Sequence, residues 1–323
     1  MLCFRTFRNS DPQLLAALWR RRAGERGWLQ PMDVELLEQH VFAKLYFDYA
    51  GLILAFDDDR PTGFAHASFG PTSGRDTLDH AAGVVCLTLA CDDGVPSVET
   101  AAELITRCER YLCERGAKVI LGGRANGTGP FYLGLYGGSR LPGVLDSDRA
   151  ANEAFAGKGY EASSKTVILD RPLAQFEAPI DRRQMEIRRR MIVEATVDPP
   201  PRDWWDACTL GVFDVTRFDL VSRGGGPPLA WALFRPMETS HAIAGGGSAM
   251  GLVELFVQEP YRRRGLAVFL LSEAVRQFAK LGVRRIEAQA AADNEAMLGL
   301  YRKLGFQPLE QATVYRKTCP TAD

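Results

Sequence analysis

Four consecutive residues, Arg262-Arg263-Arg264-Gly265, carry the sharpest chemical signal in the chain. They follow Gly251–Gln258 (GLVELFVQ), whose branched apolar residues read as a buried strand that Pro260 ends. They precede Leu266–Leu281, where apolar residues at 267, 270, 271, 274, 278 and 281 keep the spacing of one helix face. A helix start presents unpaired N–H groups and a positive partial charge. Glycine lets backbone come close to a ligand, and three arginines add charge at the same spot. Such a turn can hold a diphosphate; the other reading is a basic helix cap over solvent. The spacing is neither G-x-G-x-x-G nor G-x-x-x-x-G-K-[ST], which excludes a Rossmann site and a P-loop.

The elements around this turn are legible. Gly282 stands where a C-cap glycine belongs, and Val283–Ala290 reads as a strand. Asp293-Asn294 can cap a helix over Glu295–Leu304, ending at Gly305. Phe306–Leu309 and Thr313–Arg316 read as two last short strands. The same order recurs upstream, with a strand at Ala82–Cys91 and a helix at Thr100–Glu114. Gly116–Leu121 matches Gly282–Glu287 at an offset of 166, and Ala154–Tyr160 matches Leu300–Phe306 at an offset of 146. The first copy thus has 20 extra residues between the two matches, including the glycine-rich stretch 122–139. Each copy opens on a hairpin: Leu52–Phe56 with Gly63–Phe69, and Arg217–Val221 with Leu229–Phe234. Pro172 and Pro179 mark a linker. The expectation is an α/β fold, mixed layers around a largely antiparallel sheet, in two tandem units: residues 1–170, a linker at 171–181, and 182–323.

Arg262-x-x-Gly265-x-Ala267 after a strand resembles the acetyl-CoA motif, R/Q-x-x-G-x-G/A, of the GNAT acetyltransferase superfamily. Asn294 and Leu300-Tyr301-x-Lys303-Leu304-Gly305-Phe306 are similar to the family's second signature, with Met297 at its alanine position. The resemblance covers roughly residues 190–317, and a tandem with one degenerate half resembles mycothiol synthase in architecture. It implies acetyl-CoA as co-substrate, no metal, and a small-molecule or peptide amine as acceptor. It implies that the N–H groups of Arg263, Arg264, Gly265, Leu266 and Ala267, in the motif that Arg262 opens, hold the diphosphate. The strand edge at Leu255, Phe256 and Val257 would pair with pantetheine, the N–H near Val257 polarising the thioester carbonyl. Asn294 would contact the pantetheine arm. Tyr301 would protonate the leaving thiolate, and Glu254, the one carboxylate within the strand, is a candidate base beside water-relayed proton removal. By residue type, Tyr301 also reads as core and Glu254 as a solvent-facing charge. Trp204-Trp205 reads either as an acceptor-pocket wall or as one core and one surface ring. Two rival functions are transfer of another acyl or aminoacyl group and non-catalytic acyl-CoA sensing. The repeat places Pro96, Glu99 and Phe155 where Arg262, Gly265 and Tyr301 stand, so the first unit is expected to be degenerate and non-catalytic.

Composition sets the outer bounds. The 323 residues are 46% hydrophobic and 24% charged, the balance of a globular chain. The longest runs without a charge, Ala125–Ser139 and Thr239–Val253, have 15 residues, too few for a spanning helix. The opening residues have no apolar core, so no secretory leader is expected. Net charge is −1, divided as −4 over residues 1–170 and +3 over 171–323, which argues against nucleic-acid binding. Arg20–Arg22 and Arg188–Arg190 are read as solvated helix faces. Seven cysteines without C-x-x-C and four histidines without ligand spacing argue against a zinc site, and the cysteines read as free thiols in a reducing cytoplasm.

Overall fold

The computed structural model describes residues 2–92, 94–123, 127–174, 176–237 and 248–319. Arg124–Asn126 of the glycine-rich stretch, and His241 with most of the uncharged run 239–253, lie outside the described residues. The first half runs β1 (Leu2–Thr6), α1 (Pro12–Arg20), α2 (Val34–Leu37), β2 (Leu52–Asp57), β3 (Arg60–Pro71), β4 (Leu78–Asp92), β5 (Val95–Pro96), α3 (Val98–Glu114), β6 (Val119–Gly122), β7 (Val144–Leu145), α4 (Arg149–Gly157) and β8 (Glu161–Pro172). The second runs α5 (Arg182–Arg190), β9 (Met191–Val197), α6 (Trp204–Leu210), β10 (Thr216–Ser222), β11 (Ala230–Pro236), β12 (Ala249–Val257), α7 (Leu266–Lys280), β13 (Arg285–Ala291), α8 (Glu295–Lys303) and β14 (Gln307–Thr318).

The repeat is visible in backbone angles. Asp148 caps α4 at φ −85°, ψ 71° and Asn294 caps α8 at φ −86°, ψ 73°. Each side chain accepts the N–H three residues on, from Ala151 and from Met297. Gly159 and Gly305 close the two helices at φ 77° and 79°. The strands join in the order β1-β2-β3-β4-β6-β14-β8-β13-β12-β11-β10-β9. Pairing is antiparallel except where a helix crosses over, at β4–β6 and β12–β13. The last strand of each half crosses to the other: β8 pairs with β13, and β14 with β6, while β8 and β14 pair with each other. The two short strands expected at the end are one strand, β14, with register shifts near Pro308 and Val314. The residues expected as linker begin inside β8, which runs to Pro172.

Apolar side chains close the layers. Phe218, Leu252, Leu270, Phe278 and Ile286 form a core between the sheet and α7–α8. The first half packs both sheet faces, with Trp19, Phe64 and Phe131 on one and Leu104, Ile105 and Phe155 on the other. Arg22 departs from the expected solvated face. It is buried, pairs with Glu25 at 2.5 Å, and lies over the Trp28 ring at 4.8 Å.

The free-thiol reading is corrected at one pair. Cys113, at the end of α3, is bonded to Cys319, just past β14, across 206 residues. The bond ties the exchanged strand to the half it enters. Cys319→Ser is expected to lower stability by about 2–4 kcal/mol under non-reducing conditions. Melting with and without dithiothreitol checks this: the reductant should bring wild type down to the variant.

Two buried histidines set an acid limit. His66 shares a hydrogen bond with the Tyr132 hydroxyl at 3.0 Å and stacks on Phe131 at 4.4 Å. Burial pushes it down to about 3. Burial, with Lys44 and Arg235 nearby, takes His40 to about 4. Both are neutral in the fold and charge in the unfolded chain below about 6.5. The unfolded chain therefore binds more protons over that window, and stability is lost as the pH is lowered through it, by roughly 1.4 kcal/mol per unit per histidine. Denaturant midpoints from pH 7 to 4.5 should show this slope, and His66→Phe should reduce it by about one proton.

Candidate functional site

The site begins where two strands part. β12 pairs with β13 only over Ala249–Gly251 against Arg285–Glu287. On its other side β12 stays paired with β11 to Val257. A register shift near Leu233–Phe234 leaves Val253 out of the ladder. Gln258 donates its N–H to Leu229 O, on the β11 side. Backbone groups alternate along a strand, so the N–H groups of Val257 and Leu255 point away from β11, into the opening. Val257 O accepts from Arg262 Nε at 3.2 Å on that side. Phe256 turns its backbone to β11, and its ring stacks on Trp231 at 5.7 Å.

The turn follows directly. Arg262 donates its N–H to Glu259 O at 3.1 Å, so both its groups shape the loop. Arg263 and Gly265 adopt positive φ, 62° and 83°. Gly265 is the N-cap of α7, and among the described residues no side chain caps that helix. The first-turn N–H groups thus have the orientation for an anion. Arg264 lies over the Tyr261 ring at 5.6 Å, and Leu266 is buried beneath the turn.

Asn294 Oδ1 is engaged in the α8 cap, accepting from Met297 N–H at 3.1 Å. Tyr301 projects from α8 into the core and is 2% exposed, its ring 5.2 Å from Phe306. Burial raises the phenol above its ordinary value, and Arg140 pulls it partly back. Glu254, on the sheet face opposite α7, meets Arg202 Nη2 at 2.9 Å, and Arg202 Nε meets Asp206 at 2.6 Å. Arg75, from the loop between β3 and β4, continues the chain to Asp206 and Asp203 at 2.6 and 2.7 Å. A cavity of about 440 Å³ opens here, lined by Val253, Glu254, Arg140, Trp205, Asp206 and Thr209 among others. Trp205 is buried in its wall, with Tyr46 stacked on it at 5.4 Å.

Several of these groups escaped sequence reasoning because the first half supplies their partners. Gly251 stands in β12 where any Cβ would lie 2.6 Å from Ser139 Cα. Glu287 accepts the Ser139 N–H at 2.7 Å and hydroxyl at 3.0 Å, and burial raises its pKa. Arg235, 1% exposed, donates to the carbonyls of Gly138 and Ser139. The glycine-rich insert is thus docked against the parting strands of the second half, and it delivers Arg140 to the cavity. The one available signal was Glu287, the lone carboxylate of the Val283–Ala290 strand.

Among the described residues the first half shows no such opening. Its β4–β6 parting holds a cavity of about 20 Å³, lined by Cys86, Gly123, Gly143 and Phe155 among others. The Ser97 hydroxyl caps α3 by accepting the Thr100 N–H, which occupies the place of a bound anion. Among the described residues no group of histidine, cysteine and carboxylate side chains could hold a metal ion. No helix among them is long and apolar enough to cross a membrane.

Comparison with known proteins agrees with this geometry. Residues 185–306 match the Acetyltransferase (GNAT) family. The chain is similar to the [Ribosomal protein bS18]-alanine N-acetyltransferase of Escherichia coli, 35% identical over 72 residues, 22% of this chain and 47% of that protein. It is similar to L-ornithine N5-acetyltransferase NATA1 of Arabidopsis thaliana, 34% identical over 65 residues, 20% of this chain and 28% of that protein. The chain thus spans less than half the length of either relative. Two solved structures share the fold over the whole chain. A tandem GNAT protein from the clavulanic acid biosynthesis pathway superposes with a TM-score of 0.66 at 14% identity, covering 100% of both chains. A GCN5-related N-acetyltransferase from Sphaerobacter thermophilus gives 0.63 at 16%, covering 100% of this chain and 97% of the other. Residues 185–306 thus match a GNAT-family domain, and the whole chain shares the fold of a solved tandem GNAT protein.

Proposed function

We propose that the second half, residues 182–323, transfers an acetyl group from acetyl-CoA to an amine by direct attack, and that residues 1–170 do not turn over CoA. The observation that carries this reading is the parting of β12 from β13 beside an uncapped, positive-φ glycine turn. A diphosphate fits the turn, and the strand edge offers pantetheine the N–H groups of Leu255 and Val257. The thioester supplies the activated acetyl carbon. Val257 N–H polarises its carbonyl oxygen. Glu254, directly or through water, takes the proton that the attacking amine must lose, and Arg202 holds that carboxylate in place. As the C–S bond breaks, Tyr301 gives its proton to the thiolate. A phenol kept protonated by burial suits that role.

The acceptor fits the cavity on the Glu254 side, which both halves line. The named relatives act on an alanine of a ribosomal protein and on ornithine, so a peptide or a small molecule are both within the class. A cytoplasmic location belongs to the same proposal, and the Cys113–Cys319 bond counts against it. The test is thiol release from acetyl-CoA across a panel of small amines and peptide N-termini. Amine-dependent release supports the reading. CoA binding without release for any amine turns it toward acyl-CoA sensing, and release only with a longer acyl-CoA or an aminoacyl-tRNA replaces the acetyl donor.

A further inference from the structure

The helix that joins the halves touches the anion turn. Asp181 caps α5 by accepting the Gln184 N–H at 2.8 Å, and its other oxygen meets Lys303 of α8 at 3.3 Å. Gln184 is 7% exposed and donates its side-chain amide to Gly265 O at 3.3 Å. Ile187 buries into the α7 core, and Arg188 pairs with Glu273 of α7 at 2.8 Å. The helix is therefore fixed against the turn along two of its own turns. This docking runs the stem of Arg183 across the glycine: a Cβ on Gly265 would stand 2.9 Å from Arg183 Cδ and 3.6 Å from Cγ. The guanidinium lies one bond past Cδ. Arg183 is exposed and, among the described residues, has no ion-pair partner, whereas Arg188 and Arg190 of the same helix are paired. Residue 183 also precedes the family match, which begins at 185.

We propose that Arg183 is a phosphate-binding residue for acyl-CoA, delivered to the glycine turn by the helix between the halves. The inference rests on the reading of that turn as the diphosphate cradle. Backbone amides fix the anion's position but carry only partial charge. A guanidinium supplies a full charge and two parallel N–H donors, the geometry a phosphate accepts. Binding by Arg183 would also link CoA occupancy to the order of the connecting helix, since the ligand would bridge α5 and α7.

Titration calorimetry with CoA and with dephospho-CoA, on wild type, Arg183→Ala, Arg183→Lys and Gly265→Glu, tests this. Arg183→Ala should weaken CoA roughly tenfold and reduce the salt dependence of binding, with Arg183→Lys in between. An equal loss with dephospho-CoA assigns the contact to the diphosphate; a loss confined to CoA assigns it to the 3′-phosphate. Either supports the proposal. Unchanged or tighter binding by Arg183→Ala overturns it, while loss in Gly265→Glu alone leaves the cradle standing. Unchanged binding in both variants overturns the two readings together. A melt of each unliganded variant separates misfolding from lost affinity, and should Arg183→Ala not fold, Arg183→Lys decides by the same criteria.

Discussion

Gly265→Glu is expected to abolish CoA binding, by a hundredfold or more in Kd, while the protein stays folded. Two effects act together. The glycine sits at φ 83°, where a side chain costs roughly 1–3 kcal/mol of local strain. The new carboxylate would stand against a diphosphate, and an uncompensated like charge at a partly dehydrated site costs several kcal/mol. The steric cost adds little to that strain, because the atom nearest a Cβ, Arg183 Cδ at 2.9 Å, belongs to an exposed side chain that can turn away. Gly265→Ala should therefore fold and keep measurable affinity, which isolates the charge. Calorimetry against CoA, with circular dichroism for the fold, reads both. Full affinity in Gly265→Glu would move the cradle elsewhere in the molecule.

Tyr301→Phe is expected to lower kcat by roughly a hundredfold or more and to leave the Kd for CoA within about twofold, since a general acid acts only as the C–S bond breaks. Burial holds the phenol above its ordinary value of about 10, so the acid is present across the neutral range. The pH–rate profile of wild type should show no loss of this acid below about pH 10. A purely structural tyrosine gives the opposite pattern: kcat unchanged and a shift in stability of about 1 kcal/mol from the lost hydroxyl. Single-turnover thiol release with a melt on the same samples separates them. The first half contains the contrast, for Phe155 occupies the equivalent buried position on α4.

Local signals in the chain determined the strand, turn and helix order of each half, the repeat, and the glycine turn with Tyr301 after it. Those depend on neighbours a few residues apart: Gly265 needs its φ, Asn294 its cap, and α7 its apolar face. Tertiary structure decided the rest. The exchange of β8 and β14 between halves, the Cys113–Cys319 bond, and the docking of Ser139 against Gly251 and Glu287 join residues more than a hundred positions apart. The acceptor cavity is the clearest case. Arg75 and Arg140 come from one half and Arg202, Asp206 and Glu254 from the other, and none of the five stands in a motif. An ion pair needs only opposite charges brought within a few ångströms, and nothing in one-dimensional spacing encodes that distance once the chain has folded back on itself.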